Sequence, residues 1–131
     1  MPKEVVKVPG LSDSMDRKGV PLSVAVKANG FVFVSGLPPM DTETGEIIRG
    51  DIETQTRAVL ECLKKSLEAA GSSLDNVVKA IVFISNSGYF SVVNGIYKEY
   101  FPHNPPARTF ATVGSWPMEF DIEIECVAVV D

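Results

Sequence analysis

At 131 residues, 45% hydrophobic, with a formal charge of −5, two cysteines and one histidine, the chain is expected to form a single domain over residues 1–131, since a domain takes about 100 to 200 residues. The acid excess and the lack of any Lys/Arg run argue against nucleic acid as a partner, because phosphate binding depends on clustered cations that release counterions. Cys62, Cys126 and His103 fall short of a zinc or iron-sulfur ligand set, so no metal is expected, and a Ser-His or Cys-His pair would have to be built on His103 alone.

The first strand candidate is Val5–Val8, followed by a Ser-, Asp- and Gly-rich stretch from Gly10 to Gly19 that reads as loop. Leu22–Ala28 and Phe31–Ser35 flank Asn29-Gly30, the dipeptide favoured by a two-residue hairpin turn with positive φ at both positions. Leu37–Gly45, with Pro38-Pro39 and Thr44-Gly45, reads as a stiff surface loop. From Ile52 to Ala70 the apolar residues Ile52, Val59, Leu60, Leu63, Leu67 and Ala70 share one helical face; Asp51 can cap the start and Gly71 can end the helix. Val77–Ser85 is a β-branched strand. Phe90, Val93, Tyr97 and Phe101 mark a second helix that stops at Pro102. Ala107–Val113 and Phe120–Val130 complete the strands.

These elements make a mixed α+β domain of about six strands and two helices. The runs Phe31–Val34, Ile81–Ile84 and Val127–Val130 are apolar on both sides, the pattern of a sheet covered on both faces. Two helices cover only one face, so the other is expected to be buried against further copies of the chain. Cys62 and Cys126 sit among apolar neighbours and are expected to be reduced, buried thiols of a cytoplasmic protein. The N-terminal residues show no signal-peptide pattern, and no apolar run nears the roughly 18 residues of a membrane helix, so no membrane association or export is expected.

Carboxylates and arginine remain as chemistry. In the last strand Ile122, Ile124 and Cys126 share one face, and Asp121, Glu123, Glu125 and Val127 the other. That second face is either simply solvated or places a carboxylate at a subunit boundary, where burial raises its pKa and makes it a usable general acid/base. Spacing alone does not choose between Glu123 and Glu125. Arg108 follows the diproline Pro105-Pro106, which limits chain freedom and suits a guanidinium that grips a carboxylate through paired hydrogen bonds; a surface ion pair is the plainer reading. Ser35-Gly36, at the end of an apolar strand, can let a ligand approach the backbone. His103 reads as exposed, Tyr89, Tyr97 and Tyr100 as packing for the second helix, and Trp116-Pro117-Met118 as a packing corner or a pocket wall.

Taken in order, Phe33-Val34-Ser35-Gly36, Thr44-Gly45-Glu46, Gly50-Asp51-Ile52-Glu53-Thr54-Gln55-Thr56-Arg57, Leu67-Glu68-Ala69-Ala70-Gly71, Val92-Val93-Asn94, Pro106-Ala107-Arg108 and Ile122-Glu123-Ile124-Glu125 resemble the RidA/YjgF family of reactive intermediate deaminases, from about Leu22 to Val130. The resemblance implies a chorismate-mutase-like α+β fold assembled as a homotrimer around a central barrel, with sites in clefts between subunits. It also implies hydrolysis of enamines and imines of 2-amino acids to 2-keto acids and ammonia, without metal or organic cofactor. By position, Arg108 resembles the arginine that binds the substrate carboxylate, and Glu123 the glutamate that works through a water. Ser35, Gly36, Asn94, Thr109 and Phe110 resemble the pocket lining.

The chain departs from the family pattern at three places. Leu22 stands where a pocket tyrosine is usual, Leu37 where glutamine is common, and Phe110 where cysteine is common. All three changes make the cleft more apolar and imply a larger or more hydrophobic imine acid. Two other functions stand beside the deaminase. One is a non-catalytic binder of small carboxylic acids, for which Glu123 would be dispensable. The other is an endoribonuclease or translation inhibitor, as family members have been described, which the charge opposes.

Overall fold

A computed structural model describes residues 2–130. The elements run β1 Glu4–Val6, α1 Leu11–Arg17, β2 Ala25–Ala28, β3 Phe31–Leu37, α2 Ile52–Ala69, β4 Val77–Ile84, α3 Phe90–Tyr100, β5 Ala107–Thr112 and β6 Ile122–Val129, with single 3-10 turns at Leu74–Asn76 and Ser87–Tyr89. They build one six-stranded sheet in the order β1-β2-β3-β6-β4-β5, antiparallel throughout except for β4 beside β5.

The topology explains why both long helices lie together. β3 and β4 each pair antiparallel with β6, so they run in the same direction, and β5 runs parallel to β4. The β3-α2-β4 and β4-α3-β5 connections thus advance across the sheet in one sense. Crossovers of one hand then put α2 and α3 on the same face. Along β6 the inward residues Ile122, Ile124, Cys126 and Ala128 are all buried and the residues between them half-buried. The inward row shares one core with Val59, Leu60, Leu63 and Leu67 of α2 and Val93, Ile96 and Tyr97 of α3.

Local chemistry sets the boundaries. The β2–β3 hairpin turns at Asn29 (φ 54°) and Gly30 (φ 81°), as expected of its Asn-Gly. α2 begins where Asp51 Oδ1 accepts the Thr54 N–H at 2.8 Å and ends at Gly71, φ 81°. Both cysteines are free and buried, which pushes the Cys62 thiol up to about 11 and that of Cys126 to about 12.

Two expectations are corrected. The stretch Gly10–Gly19 contains a helix, α1, with Leu11 and Met15 buried one turn apart. The Ser12 hydroxyl accepts the Val8 N–H at 2.8 Å, the Asp13 carboxylate accepts that of Gly10 at 3.1 Å, and Ser14 donates to the Gly45 carbonyl at 3.0 Å. Ser and Asp lower helix propensity in a chain interior; here they are the groups that satisfy the helix start and dock it. The segment after β3 is not a surface loop at its start: Leu37 through Met40 are buried, and the Met40 carbonyl accepts a hydrogen bond from the Cys62 thiol at 3.2 Å. It lies between α1 and α2.

Among the described residues, neither long helix lies on the opposite face of the sheet. Phe31 and Phe33 point there, 39% and 47% exposed, with ring centroids 6.4 Å apart, while Val32 between them is fully buried on the helix side.

Candidate functional site

The sequence-predicted residues fall into two groups. The first surrounds Arg108. Following Pro105-Pro106, Arg108 enters β5 opposite Ala80 of β4, so its side chain lies on the helix-bearing face. There its Nη1 donates to Asn94 Oδ1 of α3 at 2.7 Å. The guanidinium carbon stands 4.8 Å from the centre of the Tyr97 ring and 5.0 Å from that of Phe110, cation–π distances on two sides. Phe110 is itself held edge-on against Phe90 at 4.7 Å.

Arg108 therefore has fixed geometry without a neutralising partner. Among the described residues no carboxylate lies within 4.0 Å of it, whereas Arg17, Arg49 and Arg57 are each paired with a glutamate. Its surroundings form an open depression of about 410 Å³ lined by Asn94, Tyr97, Lys98, Pro105 and Pro106. A positioned guanidinium has the donor geometry to grip a carboxylate through paired hydrogen bonds.

The second group surrounds Glu123. β3 is irregular between Val34 and Leu37, where Ser35 and Gly36 together stand opposite Glu125 of β6. The Ser35 hydroxyl turns back to the Ser23 carbonyl at 2.6 Å. Gly36 brings bare backbone beside the Glu123 carboxylate: a Cβ at this position would lie 2.1 Å from Glu123 Oε1, so any larger residue would displace the carboxylate. Partial burial raises the Glu123 carboxyl above its ordinary value; the Trp116 side chain works the other way, and the charge of Glu125 adds a smaller upward push. Of the two carboxylates that spacing left open, Glu123 is the one that stands against Gly36 and borders the cavity. Glu123 borders a cavity of about 180 Å³ whose walls include Leu22, Gly36, Leu37, Met40, Trp116 and Phe120.

One protomer does not bring these groups together. Glu123 pairs with Phe83 across β4–β6 and lies on the helix-free face, whereas Arg108 is on the opposite face, on the strand beyond β4 and three positions along. Two strand spacings and three residues amount to about 10 Å in each direction, through the thickness of the sheet. Thr109 points to the helix-free face and accepts a hydrogen bond from Lys79 Nζ at 2.8 Å, away from Arg108. His103 is exposed, as expected. Among the described residues no three His, Cys, Asp or Glu side chains stand close enough to hold a metal ion, and no helix is long and apolar enough to cross a membrane.

Sequence reasoning gave Tyr97 a packing role, and it does pack on Phe101 at 4.6 Å, but it also forms one wall of the Arg108 site. The spacing of Asn94 and Tyr97, three apart on α3, held that signal. Trp116, open between packing corner and pocket wall, is both: it stacks on Phe120 at 4.8 Å and lines the Glu123 cavity. The anchoring of β6 was not foreseen. Buried Gln55 donates to Asp121 Oδ2 at 3.0 Å and accepts the Asp121 N–H at 2.8 Å, while Ser85 Oγ donates to Asp121 Oδ1 at 2.8 Å. This network fixes the strand start two residues before Glu123.

Comparison with known proteins agrees with this architecture. The family model described as Endoribonuclease L-PSP matches residues 17–130. The RutC family protein PH0854 of Pyrococcus horikoshii is 46% identical over 108 residues, 82% of this chain and 86% of the relative. Reactive Intermediate Deaminase A, chloroplastic, of Arabidopsis thaliana is 39% identical over 110 residues, 84% of this chain and 59% of the relative. Among solved structures, E. coli TdcF with bound serine superposes with a TM-score of 0.83 at 31% identity, covering 98% of this chain and 99% of that one. By sequence along nearly its whole length and by fold, the chain belongs to the Endoribonuclease L-PSP family, the RidA/YjgF proteins.

Proposed function

We propose that the protein is an imine/enamine deaminase that hydrolyses 2-imino and 2-enamino acids to 2-keto acids and ammonia, in a cleft formed by the Arg108 group of one copy and the Glu123 group of another. The observation that carries this reading is Arg108 itself: a guanidinium oriented by Asn94 and two rings, with no carboxylate within 4.0 Å among the described residues. The deaminase name of the Arabidopsis relative and the serine held by the E. coli structure favour a small amino-acid-derived ligand bearing a carboxylate.

The chemistry needs little more. An enamine first takes a proton at its terminal carbon to become an iminium. Water then adds, giving up one proton to the base that protonated the carbon: a C–O bond forms at C2 and the C=N π pair moves onto nitrogen. A proton passes from the new hydroxyl to the amine, the C–N bond breaks with its electron pair leaving as ammonia, and C=O forms. Glu123, with its pKa raised by burial, is suited to hold and return the proton through a water. Arg108 binds the carboxylate and leaves the electrophilic carbon oriented. No step calls for a metal or an organic cofactor.

Two copies are required because the two groups lie on opposite faces of one sheet, and the apolar helix-free face supplies the surface on which copies associate. We take that assembly to be a homotrimer, as the family resemblance implies. A formal charge of −5 disfavours RNA as substrate despite the name of the family model.

The test is ammonia release from 2-aminoacrylate or 2-iminobutanoate generated in situ by a dehydratase. Arg108→Ala is expected to lower kcat/KM by one to two powers of ten, the worth of a charge-assisted hydrogen bond of about 1.5–3 kcal/mol, with the oligomer intact. Near wild-type turnover in that variant overturns the role given to Arg108, and wild-type protein that binds the 2-keto acid without accelerating ammonia release overturns the deaminase in favour of a carboxylate-binding protein.

A further inference from the structure

We infer that the cavity beside Glu123 is a side-chain pocket that selects 2-imino acids carrying a branched-aliphatic or aromatic side chain over the imines of small amino acids. This rests on the deaminase reading and adds the substrate class. The cavity of about 180 Å³ is walled by Val20, Leu22, Met40, Trp116, Met118 and Phe120, and among the described residues Lys18 and Glu123 are the only charged side chains on it. Lys18 directs its ammonium to the Gly45 carbonyl at 3.4 Å, so the interior is left to carbon surface and one carboxylate.

Size and polarity together define the occupant. An apolar cavity of about 150 Å³ stays dry and accepts a benzene ring, so this one has room for an isobutyl or benzyl group. A methyl or methylene group would leave most of the apolar wall unmatched. The geometry of the substrate points the same way. In R–C(=NH)–COO⁻ the carboxylate and R leave C2 in different directions. With the carboxylate on Arg108 of one copy and C2 near Glu123 of another, R runs past Glu123 toward the cavity that this residue borders. One methylene in a hydrophobic pocket changes kcat/KM by about 10- to 200-fold.

The experiment supplies imines of one chemical type that differ only in R, made from alanine, leucine and phenylalanine by an L-amino-acid oxidase. It follows enzyme-dependent loss of semicarbazide-trappable imine. The leucine and phenylalanine imines are expected to exceed the alanine imine at least tenfold in kcat/KM. Val20→Phe and Met118→Trp, each at a partly exposed wall residue (36% and 43%), are expected to lower that ratio at least tenfold by filling the cavity. Equal kcat/KM for all three imines, or a ratio unmoved by both variants, overturns the pocket assignment alone. No acceleration of any imine overturns the deaminase reading and the pocket with it.

Discussion

Glu123 and Arg108 show how little a side chain's identity says without its surroundings. Both belong to charged types that are numerous in this chain, and what separates them from the others is one backbone neighbour each. Gly36 leaves room for the Glu123 carboxylate against the β3 irregularity, and the diproline delivers Arg108 into the depression beside α3. The raised pKa of Glu123 has a consequence for stability. The folded chain holds this proton above the ordinary carboxyl value of 4.5, where the unfolded chain has released it. Stability therefore falls as pH rises from 4.5 through the folded value, above which the half-buried carboxyl is charged. Glu123→Gln stays uncharged throughout. Its melting temperature is expected to match wild type at about pH 4, near the carboxyl reference value, and to exceed it at pH 7, while imine hydrolysis is lost. Thermal melts at the two pH values check this; a lower melting temperature for the variant at pH 7 contradicts it.

At the scale of elements, the candidate site depends on how β6 is anchored. Gln55 is only 3% exposed, and its amide both donates to and accepts from Asp121, while a second donation reaches the Gly50 carbonyl at 2.8 Å. One side chain thus ties the start of α2, the preceding turn and the start of β6. Gln55→Ala leaves the Asp121 N–H and carboxylate without these partners, at a cost of about 1–3 kcal/mol. For a domain of this size that is a drop of several degrees in melting temperature. Differential scanning calorimetry checks it, and an unchanged midpoint would show the network to be dispensable. The short helix α1 is an element of another kind. Its seven residues are too few to be stable from propensity alone, and it persists because Leu11 and Met15 are buried and Ser14 reaches Gly45.

At the scale of the whole molecule, the sheet has one face closed by α2 and α3 and one face bearing Phe31 and Phe33. If that face carries the association, a charge placed on it separates the copies and with them the two halves of the cleft. Phe33→Asp is expected to shift the light-scattering mass from three times the 14.2 kDa chain toward the single chain, to abolish imine hydrolysis, and to keep the far-UV circular dichroism of the wild type. An unchanged mass, or a monomer with wild-type activity, contradicts the shared cleft.

Much was determined by the sequence alone because the signals were local. The Asn29-Gly30 turn, the Asp51 cap, the 3.6-residue period of α2 and the alternation of β6 are all set by residues within a few positions of one another, and each is found where the pattern placed it. Arg108 and Asn94 were each named through family resemblance rather than spacing, and the hydrogen bond between them is a finding of the structure. Tertiary structure alone decided the rest. It made a helix of Leu11–Arg17 by burying its apolar side and buried Leu37–Met40 between α1 and α2. It distinguished Glu123 from Glu125 by placing one of them against Gly36 and Trp116. It also set Arg108 and Glu123 on opposite faces of the sheet. Burial and electrostatic environment are sums over residues distant in the chain, so the two charged residues that the sequence could name acquire their separation only when the strands are laid side by side.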